Sequence, residues 1–426
     1  MAVVPAAVEI IVDVTGVGHG GFGIARHDGR VVFVRHALPG ERVRAHVTEG
    51  TEDSRYWRAD AVEILTPSAD RVEPPCPYAG PGKCGGCDWQ HASLPAQRRL
   101  KADVIAEQLW RLAGIEWDVE VEPVPDEHDG LGWRTRMTYA VDEEDRAGLR
   151  RHRSHDVVPI DECAIAHPGI RSLQIEQRPW PGMESVQAAV SGTGERLVIA
   201  EPGQRDVDVP ELPADVSVAM TDEHGKIRTV EGHAELTETA WGRTWQVSAG
   251  GFWQVHPGAA DLLGEAVAQA VRPRPGERAL DLYSGAGLFA AVLADGVGHD
   301  GSVVAIEGDR RAAADARNNL ADLEQVTFRT GPVDRVLGKE DELGADVVVL
   351  DPPRAGAKLN VVHEIARRHP RAIAYVACDP AALGRDLATF ATAGYRLSGL
   401  RAFDLFPMTH HVECVATIVP ADEPAT

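Results

Sequence analysis

The feature that most constrains the fold is a regular alternation of helix-like and strand-like segments that begins at Pro257 and continues almost to the end of the chain. Short apolar runs such as ERALDLY, GSVVAIEGD, ADVVVLDPP and AIAYVACDP alternate with segments of helical periodicity such as LFAAVLADG and RRAAADARNNLADL. Strands that alternate with helices at this rhythm build a doubly wound parallel sheet. We therefore predict an α/β domain over residues 246–426.

The N-terminal part of the chain has a different pattern. Residues 7–65 alternate apolar and polar positions in short runs separated by Gly-rich or charged turns. This pattern predicts a small five-stranded antiparallel barrel. We expect three domains: the barrel over 1–68, a mixed central domain over 69–245, and the α/β domain. A helix predicted at 92–114 belongs by sequence to the central domain, and we expect it to pack on the α/β domain.

Composition and charge limit the classes of function. The formal net charge of −22 argues against binding nucleic acid by bulk electrostatics, because phosphates are neutralised by Lys and Arg. The stretch from Arg134 to Arg153 is nevertheless rich in arginine, which suits a local basic patch; an ordinary solvated charged face is the alternative. The chain start lacks a signal-peptide layout and no apolar run is long enough to cross a bilayer. We expect a cytoplasmic, monomeric protein with no membrane association.

A glycine turn after the first strand of the α/β region indicates a ligand site. In RALDLYSGAGLFAAVLA the chain passes through Gly285 and Gly287 into a helix, so a ligand can approach bare backbone. Glu307 ends the next strand, where a carboxylate can accept both ribose hydroxyls. The dinucleotide fingerprint G-x-G-x-x-G is absent, which favours a phosphate-free adenosyl ligand such as S-adenosylmethionine. A tight turn without a ligand is the alternative.

Three residues at strand ends suggest a reaction. Asp351 closes ADVVVL and Cys378 closes AIAYVA, so both are predicted at the ligand edge of the sheet. A thiolate that adds to carbon 6 of uracil makes carbon 5 reactive towards a methyl group, and a base must then remove the carbon 5 proton. Glu413, at the start of the last apolar strand, can be that base. An inert buried cysteine and a structural ion pair are the alternatives, and Cys414 is expected to be core.

The remaining cysteines indicate a metal site. Cys76, Cys84 and Cys87 form the pattern C-x7-C-G-G-C, and Cys163 follows at a distance. Six cysteines in a chain of 426 residues are too few for a disulfide scaffold. Both zinc and an iron–sulfur cluster accept four thiolates, so the spacing leaves both open.

With these motifs identified, the chain resembles the bacterial RNA 5-methyluridine methyltransferases, and in particular the iron–sulfur type that modifies 23S ribosomal RNA. The barrel is similar to the family's TRAM domain, and the cysteine loop with RSHDVVPIDECAIAHP is similar to its [4Fe-4S] site. GGFWQVHP, DLYSGAGLFA, DPPRAG, YVACDPAALGRDL and FPMTHHVE are similar to its catalytic motifs. The resemblance implies a Rossmann-like methyltransferase domain, S-adenosylmethionine as methyl donor, and methylation of carbon 5 of a uridine.

The resemblance also implies roles for individual residues. It makes Cys378 the nucleophile and Glu413 the proton acceptor. It implies cofactor contacts from Gln254, Tyr283, Glu307 and Asp351. The two glycines of the turn, Gly285 and Gly287, complete the expected cofactor site. The implied cluster ligands are Cys76, Cys84, Cys87 and Cys163. The arginines of the basic stretch that we expect to hold RNA are Arg134, Arg136, Arg151 and Arg153.

The sequence departs from the family in two cofactor positions and leaves other functions open. Leu288 and Pro332 stand where relatives have Asn, so no cofactor contact is assigned to them, and the first gap of the cysteine loop is longer than in relatives. A transfer-RNA enzyme acting on the T-loop uridine would use the same chemistry. A non-catalytic RNA-binding protein with a redox-sensing cluster would be favoured if Cys378 or Glu413 were missing, and both are present.

Overall fold

The computed structural model describes residues 8–125, 129–203, 207–340 and 343–422. The first seven residues, which carry most of the argument about a signal peptide, lie outside the described residues. Within the described residues, no helix combines the length and the apolar character needed to cross a membrane.

The N-terminal region is a closed five-stranded barrel, as predicted. Its strands are β1 (Glu9–Gly18), β2 (Phe22–His27), β3 (Arg30–Arg35), β4 (Arg42–Glu49) and β5 (Tyr56–Thr66). Alternate side chains of each strand fill the interior, among them Val12, Val32 and Val43. The prediction that all strands are antiparallel is wrong for one pair. Strand β4 pairs with β1 and closes the barrel, and β5 fills the gap between β4 and β3, where it runs parallel to β3.

Two elements that precede the central sheet belong structurally to the C-terminal region. They are α1 (Leu94–Ala113) and β6 (Val121–Glu122). Helix α1 ends at Gly114, which adopts a left-handed conformation with φ of 65°. Its side chains Ile105 and Leu109 are buried in the same apolar cluster as the C-terminal strands. The fully buried Lys101 of α1 forms an ion pair with Asp404, with a distance of 2.5 Å between Nζ and Oδ1.

The central region is built on a seven-stranded sheet. Its elements are β7 (Arg136–Val141), β8 (Ala147–Arg150), β9 (Val157–Pro159), α2 (Pro168–Arg171), a 3-10 turn (Ile175–Gln177), β10 (Met183–Val190), β11 (Arg196–Pro202), β12 (Val216–Thr221) and β13 (Ile227–Glu231). The strand order is β13-β12-β11-β10-β7-β8-β9. A separate two-stranded hairpin, β14 (Glu235–Ala240) and β15 (Arg243–Ser248), leads into the C-terminal region.

The C-terminal region confirms the predicted doubly wound α/β fold. Its elements are α3 (Ala259–Val271), β16 (Arg278–Leu282), α4 (Leu288–Val297), β17 (Ser302–Glu307), α5 (Arg310–Asn319), β18 (Val326–Thr330), α6 (Val333–Leu337), β19 (Val347–Leu350), α7 (Lys358–Ala366), β20 (Ala372–Ala377), α8 (Pro380–Thr392), β21 (Tyr395–Phe403) and β22 (Glu413–Pro420). The sheet order is β18-β17-β16-β19-β20-β22-β21-β6. Strands β16 to β20 are parallel, and β22 and β21 are antiparallel additions. Apolar clusters cover both faces of this sheet, so its functional groups lie at the strand ends.

Candidate active site

The parallel strands of the C-terminal sheet end at one edge, and several of the predicted cofactor residues lie at or just after these strand ends. Leu282 of β16 lies beside Leu350 of β19, so Tyr283 and Asp351, the next residues of the two strands, emerge together. Glu307 is the last residue of β17, which pairs with β16 on its other side. Because parallel strands present their carboxyl ends on one side, these residues share an edge where ligands bind in open α/β sheets.

The turn from β16 into α4 has a backbone that depends on glycine. Gly285 and Gly287 adopt φ values of 53° and 100°. At Gly285 there is open space around the position of a side chain, whereas a Cβ at Gly287 would lie 2.9 Å from the Leu320 side chain. The Glu307 carboxylate holds the turn, since its Oε2 accepts the Gly285 amide at 2.8 Å and its Oε1 accepts the Asp309 amide at 2.7 Å. The Glu307 carboxylate therefore fixes the glycine turn at the carboxyl ends of β16 and β17.

A buried acid that the sequence analysis did not assign to the ligand lies under this turn. Asp281 of β16 is fully buried, and neither of its carboxylate oxygens has a hydrogen-bond partner among the described residues. Burial raises the pKa of Asp281 well above its ordinary value, and the nearby charges of Asp351 and Glu307 raise it further. Ser284 has a buried hydroxyl that also lacks a partner among the described residues. Unpartnered buried polar groups are costly, so this edge is suited to a polar ligand.

The predicted nucleophile and the predicted base lie across a strand ladder. Ala377 of β20 pairs with Cys414 of β22 in antiparallel register. Cys378 follows Ala377 and Glu413 precedes Cys414, so the two side groups stand at the same end of the ladder. Cys378 is partly exposed, Glu413 is buried and Cys414 lies in the core.

The electrostatics of this pair favour the protonated forms. Burial raises the pKa of Cys378 to about 12, with contributions from the negative charges of Glu413 and Asp351 and an opposing one from Arg354. Burial also raises the pKa of Glu413 well above its ordinary value, and the Asp351 charge adds to this effect. For Asp351 itself, burial raises the pKa to about 7. Arg354 is thus the cation that favours ionised forms here, and an ionised Glu413 would bind a proton strongly.

The segment that carries Gln254 is held from the central region. Trp253 is buried against Trp245, with 5.7 Å between the ring centroids. The backbone on either side of it is fixed by Arg136, which donates to the Gly251 carbonyl at 3.0 Å, and by Thr135, which donates to the Val255 carbonyl.

Phe252, which the sequence analysis quoted in the same motif without giving it a role, is 67% exposed. It stands two residues from Gln254, which is partly buried. An exposed aromatic ring in this position can stack on a base, as proteins that bind single-stranded nucleic acid commonly do. An aromatic residue next to the buried tryptophan of the motif was the signal that could have identified it.

The four arginines expected to hold RNA are in unlike environments. Arg136 pairs with Glu238 at 3.1 Å and is largely buried, so its contacts are structural. Arg134 is also largely buried, and burial lowers its pKa; the Cys163 and Cys87 thiols lie near it. Arg151 and Arg153 are exposed and form only loose ion pairs, at 3.3 Å with Asp156 and at 3.9 Å with Glu49. Of the four, Arg151 and Arg153 can reach RNA at the surface.

All four cysteines of the proposed cluster line one cavity of about 560 Å³, named here the cysteine cavity. The cysteines carry no disulfide. Cys84 Sγ accepts the Gly86 amide at 3.4 Å and Cys87 Sγ accepts from Gln90 at 3.3 Å. Burial raises the pKa of Cys163 to about 11. No group of three or more His, Cys, Asp or Glu side chains in the described part of the chain is arranged to hold a metal ion. The structure thus shows four cysteines around one cavity, and no metal site among the described residues.

The segment after Cys87 is bonded directly to the loop that precedes Glu413. The amides of Asp88 and Trp89 both donate to the Met408 carbonyl at 3.0 Å. The Asp88 carboxylate accepts from the His410 amide and lies 2.6 Å from its Nδ1. Cys87, which lines the cysteine cavity, is therefore followed directly by a residue that is hydrogen-bonded to the loop leading to Glu413.

Family models and a solved structure identify the class of protein to which the chain is similar. Family models match three parts of the chain: the TRAM domain at residues 9–62, Protein-L-isoaspartate(D-aspartate) O-methyltransferase at 259–347, and tRNA (Uracil-5-)-methyltransferase at 338–419. The crystal structure of Pyrococcus abyssi tRNA (uracil-54, C5)-methyltransferase in complex with S-adenosyl-L-homocysteine has the same fold. It is 23% identical, with a TM-score of 0.72, and the match covers 96% of this chain and 100% of that one. The fold is that of a Rossmann-like methyltransferase with an N-terminal TRAM barrel.

Relatives along the full chain give the family. An uncharacterized RNA methyltransferase of Streptomyces avermitilis is 56% identical over 97% of this chain and 98% of its own length. The 23S rRNA (uracil(1939)-C(5))-methyltransferase RlmD of a Shewanella species is 34% identical over 93% of each chain. The chain belongs to this family of RNA methyltransferases, and it is an enzyme.

Proposed function

We propose that this enzyme methylates carbon 5 of a uridine in 23S ribosomal RNA through a covalent adduct with Cys378. The observation that carries the proposal is the opposition of Cys378 and Glu413 at one end of the β20–β22 ladder, beside the strand ends of the ligand edge. Carbon 5 methylation needs a nucleophile and a base on a single ring. A methyltransferase that acts on a nitrogen or oxygen atom needs no such cysteine.

The ligand edge fits S-adenosylmethionine. Glycines 285 and 287 give access to the backbone, Glu307 suits the ribose hydroxyls, and the unpartnered Asp281 carboxylate suits an amino group. Gln254, Tyr283 and Asp351 complete the set of residues proposed to hold it. When bound, S-adenosylmethionine supplies a methyl group on a positively charged sulfur. The chain's own residues bind it, exclude water and accept the proton that the uracil ring loses.

The proposed chemistry uses two side chains in sequence. The Cys378 thiolate forms a bond to carbon 6 of uracil, and the electron pair of the carbon 5–carbon 6 double bond becomes an enolate. The electron pair at carbon 5 then forms a bond to the methyl carbon of the donor while the methyl–sulfur bond breaks, and S-adenosylhomocysteine is left. Glu413 accepts the carbon 5 proton, the released electron pair restores the double bond, and the sulfur–carbon bond breaks to return the thiolate. Arg354, a cation that lowers the pKa of both groups, favours the thiolate.

The choice of 23S ribosomal RNA rests on relatives of known name, such as the Shewanella RlmD. Transfer RNA is the second candidate, because the family model at 338–419 and the Pyrococcus structure both carry transfer-RNA names. Because the reacting atoms of the base cannot be reached within a stack, the base must leave it. We assign its phosphate contacts to Arg151 and Arg153 and a stacking role to Phe252. The enzyme is proposed to act as a cytoplasmic monomer.

We also propose a [4Fe-4S] cluster in the cysteine cavity. The support for this proposal is that four cysteines line one cavity, since iron–sulfur clusters are held by four cysteine thiolates. Cys76, Cys84, Cys87 and Cys163 would be its ligands. None of the chemistry above passes through it.

The test is to supply tritiated S-adenosylmethionine with ribosomal and transfer RNA from cells that lack the enzyme, using wild type, Cys378→Ala and Glu413→Gln. We expect label in 5-methyluridine of 23S RNA, none with Cys378→Ala, and a protein–RNA adduct on denaturing gels with Glu413→Gln, where the rate falls about 10²- to 10⁴-fold. Label in transfer RNA would promote the second candidate. No transfer to either RNA would favour a non-catalytic RNA-binding role.

A further inference from the structure

The turn between β1 and β2 of the N-terminal barrel, residues 19–21, lies beside Cys378. We name it the barrel turn. A pocket of about 230 Å³ adjoins the nucleophile, and the barrel turn forms part of its wall. The pocket residues that the inference uses are His19, Gly20, Gly21, Arg354, Cys378 and Asp379. Two regions that are far apart in the sequence therefore enclose the space next to the reactive thiol.

The barrel turn is fixed in this position by contacts that leave little freedom. The indole nitrogen of the buried Trp89 donates to the Gly21 carbonyl at 3.0 Å. Gly21 has a φ of 80°, and a Cβ there would lie 2.8 Å from the Cβ of His410. Only glycine therefore fits at this position, and the turn is packed against the loop that leads to Glu413.

His19 is bonded to the residue after the nucleophile. Its Nε2 lies 3.1 Å from Oδ2 of Asp379. The other oxygen of Asp379 accepts the Ala382 amide at 2.7 Å and caps α8. The His19 side chain is 38% exposed. Its second ring nitrogen has no hydrogen-bond partner among the residues that the structure describes.

We propose that the barrel turn is one wall of the pocket for the target nucleotide, and that His19 is a substrate-positioning residue which contacts that nucleotide with its second ring nitrogen. The partner is the ribose–phosphate or base edge of RNA. The inference rests on the proposed function. It gives the barrel a part in presenting the target uridine, because the imidazole links the nucleotide to Asp379 and so to the backbone that carries Cys378.

The test compares His19→Ala with His27→Ala in the full-length enzyme. His27 lies at the opposite end of β2 and faces its own neighbour Asp28 at 3.6 Å, so it is a matched histidine away from the pocket. We expect His19→Ala to lower kcat/KM for RNA about 10- to 100-fold, mostly through KM, as the loss of a hydrogen bond to a charged or polar partner would. The Kd for S-adenosylmethionine and the activity of His27→Ala should stay unchanged.

A second measurement separates positioning from structural support. His19→Gln keeps a donor towards Asp379 but loses the ring, so it should restore the melting temperature and leave the RNA defect. RNA with 5-fluorouridine at the target traps the adduct, because carbon 5 then has no proton to give up, and trapping by His19→Ala should be slow only at subsaturating RNA. If folded His19→Ala or His19→Gln has the wild-type KM for RNA, the inference is wrong. If wild type methylates no RNA, the proposed function fails instead.

Discussion

The two groups of cysteines in this chain lie in contrasting structures. Cys378 follows a buried parallel strand and faces Glu413 across a regular ladder. Cys76, Cys84 and Cys87 lie in a segment of turns and isolated bridges, and Cys163 comes from another such segment. The first site is positioned by a hydrogen-bonded sheet with a packed core on both faces. At the second site the four cysteines lie outside the helices and strands, around a cavity whose wall also includes residues of β7, β8, β10 and β11.

The two sites differ in how far their structure depends on a bound group. At the catalytic edge a side chain can be removed without loss of the framework, because the backbone is held by its neighbours. At the cysteine cavity the four cysteines come from segments outside the helices and strands, and a group bound by their thiols would hold these segments together. The catalytic edge should therefore respond to substitution in rate, and the cysteine cavity in stability.

The largest effect is expected at the nucleophile. Cys378→Ala should lower methyl transfer by at least about 10³-fold while leaving the melting temperature within a few degrees, because the reaction loses its covalent step. Its buried neighbour Cys414 provides the matched control. Cys414→Ala should keep kcat and lose about 1 kcal/mol of unfolding free energy, measured by urea titration. A Cys378→Ala enzyme with a tenth of wild-type activity would contradict the mechanism.

The second effect tests the cysteine cavity. Cys84→Ser, purified without oxygen, should lose iron and acid-labile sulfide and become less stable by at least about 2 kcal/mol, since a bound group stabilises the folded state by its binding free energy. Cys378→Ala should keep its full iron content. Wild-type protein without iron, or a Cys84→Ser variant as stable as wild type, would contradict the proposed cluster and the contrast between the two sites.

The third effect concerns pH. Asp351 has a pKa of about 7 in the folded protein, raised by burial from 3.8, so the folded state binds the extra proton and its stability falls as pH rises between these values. Asp351→Asn should therefore gain about 1 to 2 kcal/mol over wild type between about pH 5 and about pH 8, a value reduced for partial exposure.

Asp346 is the control of opposite sign for this measurement. The hydrogen bond from Arg278 lowers the pKa of Asp346, so its stabilising contribution is present above the ordinary carboxyl pKa and is lost as pH falls. Asp346→Asn should thus be more destabilising at about pH 8 than at low pH. Urea unfolding over the pH range measures both variants, and parallel curves for the two would refute the argument.

The smallest effect is expected at the surface beside the cysteine cavity. Arg151→Ala combined with Arg153→Ala should weaken RNA binding about 3- to 10-fold and reduce the salt dependence of binding, because two phosphate contacts are lost. Arg228→Ala, on the exposed strand β13 and paired with Asp222, is the matched control. Filter binding at several salt concentrations measures the effect. Equal loss in the control would show that the cysteine side of the molecule has no special RNA contact.

Much of the catalytic edge could be predicted from the sequence because the order of strands and helices fixes where strand ends meet. Cys378, Asp351 and Glu307 each close an apolar run, so a parallel sheet must bring them to one side. Glu413 could be predicted for the same reason at the start of β22. Asp281 could also have been predicted as a ligand-site residue, because a carboxylate inside an apolar strand is costly unless it serves a ligand.

Features that depend on distant pairing could not be predicted. The parallel pairing of β3 with β5 follows from how the barrel closes, which no local pattern records. Arg136 looked like part of a basic patch, but it points inwards to Glu238 on a strand outside the central sheet. The contact of His19 with Asp379 joins two regions whose separate patterns carry no information about each other.

Strand β6 has a consequence for how the chain is made. Val121 pairs with Ala402, and β6 is the outermost strand of a sheet whose other strands all come later in the sequence. During synthesis β6 and α1 therefore cannot complete their packing until nearly the whole polypeptide has left the ribosome. A truncated product that stops before α8, the helix on which α1 packs, would keep Ile105 and Leu109 uncovered, so such unfinished chains are expected to be prone to aggregation and to bind chaperones.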